Sequence, residues 1–227
     1  MVTRSASPTR HPMPFVRIEI AVMAVADGAL RVLLGQRAEA PFAGQWALPG
    51  GVLRIDLDAD LDAACRRVMT ERLGHEIPGA TQLCAVGARD RDPRAPWALS
   101  VVYRCMMLAD ALAPMPGKRL EALRWADAPA AAGDAALAFD HRRLIGMTLQ
   151  RLRSDVEALA LPPGLLAEPF TLGELQAASE TVLGRALDKS SLRRKLDAAG
   201  VVEAVAGQMR TGPFRPAQLY ALTAPRS

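Results

Sequence analysis

Arg67-Val68-Met69-Thr70-Glu71-Arg72-Leu73-Gly74 closes a segment that opens near Asp60. Within it Leu61, Ala64, Cys65, Val68 and Met69 recur at helical spacing, which predicts a helix from about Asp60 to Leu73 with one face in a core. Gly74 stands where a left-handed C-terminal cap belongs. Positions 71 and 72 lie three and four residues beyond 68, so the three positions share one helix face. Leu48-Pro49-Gly50-Gly51 breaks the chain ahead of the helix.

Working outward, an apolar strand is predicted from Val16 to Val25, a tight turn at Asp27-Gly28, and an answering strand from Leu30 to Leu34. Further strands are expected at Gln82–Gly87, Leu99–Met107 and around Leu123-Trp125. Ala126–Ala136 reads as a surface loop, and a helix follows from about His141 to Leu161. Pro162-Pro163-Gly164 marks the domain boundary. This gives a tail at residues 1–14, a first domain at 15–160 and a second at 161–227, in keeping with a length of 227 residues.

Half of the residues are hydrophobic and 23% are charged, an ordinary globular composition. No apolar run approaches the roughly 18 residues of a membrane span, and no secretory signal precedes the first strand. Cys65, Cys84 and Cys105 are odd in number, widely spaced and set among apolar neighbours. They read as buried thiols of a cytoplasmic protein, without zinc-ligand spacing. The net charge of +4 permits a nucleic-acid partner without arguing for one.

The second domain opens on Phe170-Thr171-Leu172-Gly173-Glu174, a capping box in which Thr171 and Glu174 satisfy each other's backbone N–H groups, with Phe170 and Leu175 as hydrophobic staple. Another helix starts at Asp188 and stops at Gly200. Val201–Val205 and Leu219–Leu222 are strands around a basic turn, Gly207–Pro216. Helices followed by a hairpin describe a winged helix. Along Asp188–Leu196, Leu192 and Leu196 face inward, which leaves Lys189, Ser190, Ser191, Arg193, Arg194 and Lys195 as candidate DNA contacts, joined by Arg210 and Arg215 of the wing.

Gly51 and the helix ending Arg67–Gly74 resemble the Nudix box, Gly-x5-Glu-x7-Arg-Glu-U-x-Glu-Glu-x-Gly, and Pro41–Gly51 looks like that family's approach to it. The resemblance covers Phe15 to Asp155. It implies an α+β fold, a Nudix-type α/β/α sandwich with a mixed sheet, followed here by the winged helix-turn-helix. Hydrolysis of a diphosphate in such a site needs several carboxylates around Mg²⁺, and the family places Glu at all three shared-face positions. This chain has Val68, Glu71 and Arg72, so the formal charge of the cluster goes from −3 to 0. Glycine-to-arginine spacing is two residues too long, and Ala59 stands at the earlier Glu position. Gly51, Arg67, Glu71 and Gly74 are therefore a vestige of the box, with no catalytic set and no metal site expected. The run Asp56, Asp58, Asp60, Asp62 is the available source of substitute ligands; its other reading is a solvated helix start. Arg72 can replace the ion by pairing directly with phosphate oxygens, with Arg37, Arg54 and Arg67 as further ligand-binding candidates. A structural salt bridge is the alternative for Arg67, and plain surface positions for Arg37 and Arg54.

The domain order, with Arg91-Asp92-Pro93-Arg94, Leu137-Ala138-Phe139-Asp140-His141, Leu183-Gly184-Arg185, Phe214-Arg215-Pro216-Ala217 and Leu219-Tyr220, resembles the Nudix-related transcriptional regulators of NAD metabolism. That resemblance implies a homodimer with operator DNA and a nucleotide-sugar or phosphorylated small-molecule effector as partners, ADP-ribose being the example. It implies no membrane partner, and no cofactor unless residual hydrolysis calls for Mg²⁺. Two rival readings fit the same residues. One is a Nudix pyrophosphohydrolase with an accessory C-terminal domain. The other is an interaction module whose basic helix is buried in a dimer interface.

Overall fold

Strand β1 (Phe15–Ala26) forms the axis of the first unit, and its alternation builds two layers around one sheet. Ile18, Ile20 and Val22 pack on one side with Ala64, Cys65, Val68, Met69 and Leu73 of helix α1 (Leu61–Leu73). Ala21 and Met23 face the other side, toward Leu144, Ile145, Leu149 and Leu152 of a long helix, His141–Glu157. The computed structural model describes residues 13–111, 115–211 and 216–223.

Six more strands complete the sheet: β2 (Ala29–Arg37), β3 (Trp46–Ala47), β4 (Gly50–Val52), β5 (Thr81–Asp92), β6 (Ala95–Met106) and β7 (Leu120–Asp127). Their order is β3-β2-β1-β6-β5, with β4 also on β1 and β7 on β2. Among the described residues only β1 and β6 pair in parallel; the other pairs are antiparallel, so the sheet is mixed as expected. Between β7 and the long helix the sequence reading needs a correction. Ala128–Gly133 is a helix, α2, and not a loop. Asp127 caps it by accepting from Ala130 N–H, Pro129 occupies the first turn, and Ala128 and Ala131 are buried. Alanine-rich sequence carries little periodicity but costs least to coil, so a cap and two buried methyl groups suffice. The long helix, α3, ends at Glu157, four residues before the expected stop.

The second unit consists of α4 (Leu172–Leu183), α5 (Lys189–Ala199) and the hairpin β8 (Val202–Arg210) and β9 (Ala217–Leu222). Both halves of the Thr171/Glu174 capping box form, Asp188 caps α5 through Ser191 N–H, and Gly184 and Gly200 end the helices at positive φ. Phe170 exchanges both backbone hydrogen bonds with Tyr220, adding a one-residue edge to the hairpin. Strand β8 runs farther into the expected turn than its apolar stretch suggests, past a bulge between Ala204 and Met209 whose carbonyls at Val205 and Gln208 accept from Gln218.

The units share one core. Leu175, Ala178 and Val182 of α4 belong to the same buried cluster as Leu144, Ile145 and Leu149 of α3, and Arg153 Nε donates to Val182 O at 3.2 Å. Helix α3 thus belongs to both halves. Beside it, a cavity of about 930 Å³ opens between the C-terminal half of α3, the linker and the start of β8, lined mainly by apolar atoms.

Candidate functional site

Val68 is completely buried, and its Cγ2 lies where a Cβ on Gly51 would come within 2.7 Å. The position that carries a metal-binding glutamate in the Nudix pattern therefore belongs to the core. Glu71, the remaining carboxylate, lies 3.3 Å from Arg67 and 3.8 Å from Arg72. Each member of the aspartate run has a separate structural task. Asp56 pairs with Arg54, Asp58 accepts twice from Arg67, Asp60 caps α1, and Asp62 accepts from the Tyr103 hydroxyl at 2.6 Å. Among the described residues no group of three His, Cys, Asp or Glu side chains is arranged to hold a metal. The donor set, one carboxylate already paired with two arginines, does not fit Mg²⁺.

Arg72 is buried instead of solvent-facing. Its Nε donates to Gly50 O at 2.8 Å and its Nη1 to Lys118 O at 2.9 Å. In return, the N–H groups of Gly117 and Lys118 cap the carbonyls of Arg72 and Glu71. This clasp ties α1, β4 and the loop before β7 together, and it aims the rest of the guanidinium into a small cleft. Arg17, Arg37, Arg94 and Arg119 line the same cleft; Glu39 is the one carboxylate in its lining, while Glu19 and Asp92 pair with Arg17 and Arg94 behind it. Arg37 and Arg72 have their pKa values lowered, by burial first and then by repulsion from neighbouring arginines. Such a cluster calls for an anion. The enclosed part, about 40 Å³, holds only a small group, so a larger ligand extends along the open mouth.

The structure separates the four expected ligand arginines. Arg37 and Arg72 line the cleft, whereas Arg54 and Arg67 do not. Arg54 is exposed and bound to Asp56. Arg67 is held by Asp58 and Val52 O, the loop-orienting salt bridge that was its alternative reading. The sequence reading missed Arg17, Arg94 and Arg119 as ligand candidates. Arg17 carried one usable signal: together with Glu19 it interrupts an apolar strand at two-residue spacing.

Beneath the cleft, Arg17 Nε donates to Glu19 Oε1 at 2.7 Å, with both side chains buried. Burial disfavours the Glu19 charge, but Arg17 and then His141 outweigh it and hold the carboxyl down at about 2. A Cβ at Gly50 would overlap Glu19 Oε2, so glycine is required there. His141 Nδ1 accepts from Leu48 N–H at 2.9 Å, which assigns the ring proton to Nε2, 3.7 Å from Glu19 Oε2. That oxygen is the one buried side-chain N or O among the described residues without a hydrogen-bond partner. Next along the chain, Asp140 accepts twice from Arg91. Phe139, at φ +57°, is ringed by Arg37, Arg17 and Arg94 at 5.0, 5.7 and 5.8 Å and meets the edge of Phe42 at 4.7 Å.

On the second unit, α5 buries only Leu192 and Leu196. Lys189, Ser190, Arg193, Arg194 and Lys195 are exposed, while Ser191 is half-buried with its N–H committed to Asp188. Arg193 lies 4.0 Å from Asp197 across one helical turn. Arg210 is also engaged, with Glu174 at 3.1 Å and Pro169 O at 3.2 Å, so this wing residue clamps the hairpin to the start of α4. Arg215 lies outside the described residues. The thiols of Cys65 and Cys105 are buried and pushed up to about 12, chiefly by burial; Cys84 is half-buried, not fully buried as its neighbours suggested.

Comparison with known proteins agrees with this two-part layout. The NUDIX domain family matches residues 16–146, and the NrtR DNA-binding winged helix domain family matches residues 163–222. The chain is 35% identical over 210 residues to the ADPR responsive transcriptional repressor NtrR of Acinetobacter baylyi, covering 92% of this chain and 82% of that one. Shewanella oneidensis NrtR, in a crystal structure complexed with a 27mer DNA, is 33% identical, with a TM-score of 0.77 over 92% of this chain and 93% of that one. The NUDIX domain of the same protein, cocrystallised with ADP ribose, is 30% identical, with a TM-score of 0.58 over 65% of this chain and 94% of that one. With a NUDIX domain and an NrtR-type winged helix matched in sequence and in shape over nearly its whole length, the chain belongs to the NrtR family.

Proposed function

We propose that this protein is a ligand-responsive transcriptional regulator. Its first unit senses an ADP-ribose-like nucleotide sugar without hydrolysing it, and its winged unit binds operator DNA. The convergence of five arginines on a cleft whose neighbouring box keeps only one of its three shared-face carboxylates carries the reading. An enzyme of this type meets the phosphates through an ion held by glutamates, whereas this chain meets them with guanidinium groups. Each guanidinium donates charge-assisted, geometrically matched hydrogen bonds to phosphate oxygens. The relative named as ADPR-responsive and the NUDIX domain cocrystallised with ADP ribose support that ligand class.

For the winged unit, α5 presents Lys189, Arg194 and Lys195 with no acidic partner within salt-bridge distance among the described residues. A helix with an apolar inner stripe and free cations outside is suited to phosphates and base edges of a major groove. The relative complexed with DNA supports this assignment, and the relative named a repressor supports repression. A homodimer on a palindromic site and a cytoplasmic location complete the reading; no helix of the described residues is long and apolar enough to cross a membrane.

Isothermal titration with ADP-ribose, with and without EDTA, tests the sensor. Binding unchanged by chelator and no metal-dependent release of AMP are the expected results. Robust Mg²⁺- or Mn²⁺-dependent turnover would establish the hydrolase instead.

A further inference from the structure

The contacts beneath the cleft converge on the first turn of the one helix that both units share. Arg17 faces the cleft at one end of this chain of contacts and is bound to Glu19 at the other. Glu19 uses only Oε1 in that bond, and its Oε2 points toward His141 Nε2 at 3.7 Å without a donor. His141 is the first residue of α3; in the opposite half Arg153 bonds to Val182 O of α4, and the two helices share one buried cluster.

From these relationships we propose that Glu19 and His141 are positioning residues. In this role they form the joint through which an anion on Arg17 acts on α3, and through α3 on the winged unit. The proposal rests on the effector reading above. An anionic group at the cleft mouth draws on the Arg17 charge that compensates Glu19. A buried carboxylate that loses compensation must regain it locally, because desolvated charge is costly. The His141 Nε2–H faces the unpartnered oxygen, and closing 3.7 Å to a normal hydrogen bond of about 2.9 Å requires a shift of about 0.8 Å. A helix is stiff along its length, and displacements of this order at packed helices reach the elements packed on their far ends. Gly50 gives the carboxylate room to approach, and the two-bond Arg91–Asp140 pair holds the residue before His141. Motion of the ring thus enters α3 at its first turn.

The test measures coupling, not activity. A duplex selected on the wild-type protein from a random-sequence pool serves as DNA probe and ADP-ribose as effector. The readout is the ratio of DNA Kd with and without saturating ADP-ribose, using the full chain. For wild type a ratio differing from one by about 5- to 150-fold is expected. His141→Asn keeps an acceptor near the Nδ1 position for Leu48 but removes the group facing Glu19; His141→Gln keeps a donor near the Nε2 position. Asparagine is expected to bring the ratio to within about twofold of one while ADP-ribose affinity stays within a few-fold, and glutamine to retain most of the wild-type ratio. Glu19→Gln, expected to lose the response, supplies the same test should the asparagine variant fail to fold by circular dichroism. Wild-type coupling in His141→Asn, or equal loss in the asparagine and glutamine variants, overturns the joint and leaves the effector reading standing. A wild-type ratio of one overturns the effector reading, and the joint with it.

Discussion

Val68 on α1 packs directly over the backbone of Gly51 on β4, so the first glycine of the vestigial box and the lost glutamate position are sealed against each other. The departure from the Nudix pattern is therefore built into the core and not confined to the surface. Restoring the carboxylate by Val68→Glu places a charge and extra volume at a completely buried site packed against the Gly51 backbone. We expect a loss of stability on the order of 3–5 kcal/mol in urea denaturation, with ADP-ribose turnover still at background in Mg²⁺. A stable variant that gained turnover would show that the box is only one substitution from function.

Arg37 and Arg54 separate the cleft from its surroundings. Arg37→Ala removes a charge that lines the cleft and is expected to weaken ADP-ribose binding by about 10- to 150-fold, the value of a charge-assisted hydrogen bond. Arg54→Ala removes an exposed pair with Asp56 and is expected to change affinity less than twofold. Titration calorimetry on both decides whether the phosphates lie where the arginines converge. Equal effects in the two variants would place the ligand elsewhere.

Arg72 has a dual position, and its substitution should report both parts. Arg72→Ala removes the bonds to Gly50 O and Lys118 O, leaving two carbonyls without their donor, and should cost about 2–4 kcal/mol of stability as well as affinity. Thermal shift measured with and without ADP-ribose separates the two losses, because ligand stabilisation scales with occupancy of the native state. A wild-type melting temperature in this variant would dissolve the clasp.

Arg194 and Arg210 are both basic residues of the winged unit, with different expected roles. Arg194→Ala should weaken DNA binding and, if the contact is to phosphate, lower the salt slope by about one. Arg210→Ala should act through the hairpin. Its effect on stability is expected to be smaller in a Glu174→Ala background, the remainder coming from the bond to Pro169 O, and a double-mutant cycle reads the coupling. Retention of full DNA affinity and salt slope by Arg194→Ala would remove α5 from the reading role.

Glu19 sets a pH dependence. Its folded pKa of about 2 lies below the ordinary value of 4.5, so between these values the unfolded chain takes up the proton more readily. The resulting stabilisation is complete above about pH 5 and is lost as the pH falls toward 2. In Glu19→Gln this part of the slope disappears. A residual slope remains from Asp58 and Asp92, whose pKa values are also lowered: Asp58 mainly by hydrogen bonds from Arg67, Asp92 by Arg94 against the opposing effect of burial. Melting temperatures of both proteins from pH 6 to pH 3 check the difference.

The sequence by itself determined whatever depends on neighbours along the chain. The helix starts at Asp60, Thr171 and Asp188, the stops at Gly74 and Gly200, the apolar run of β1 and the missing glutamates at positions 68 and 72 involve residues within a turn or two of one another. Their physics is local and leaves a periodic or positional trace. The short helix α2 left none, because alanine is indifferent to which face it shows. The partners of the charges were decided by the tertiary structure. Arg17 on β1, Arg94 in the β5–β6 turn and Arg119 before β7 come from three distant stretches, and only the strand order brings their guanidinium groups to one cleft. Arg54 and Arg67 were equally good candidates by residue type. A single aspartate near each turned them into structural pairs, since an ion pair forms with whichever opposite charge the fold places within a few ångströms. Glu19 and His141, 3.7 Å apart across the sheet and the first turn of α3, meet only because β1 and α3 pack as they do.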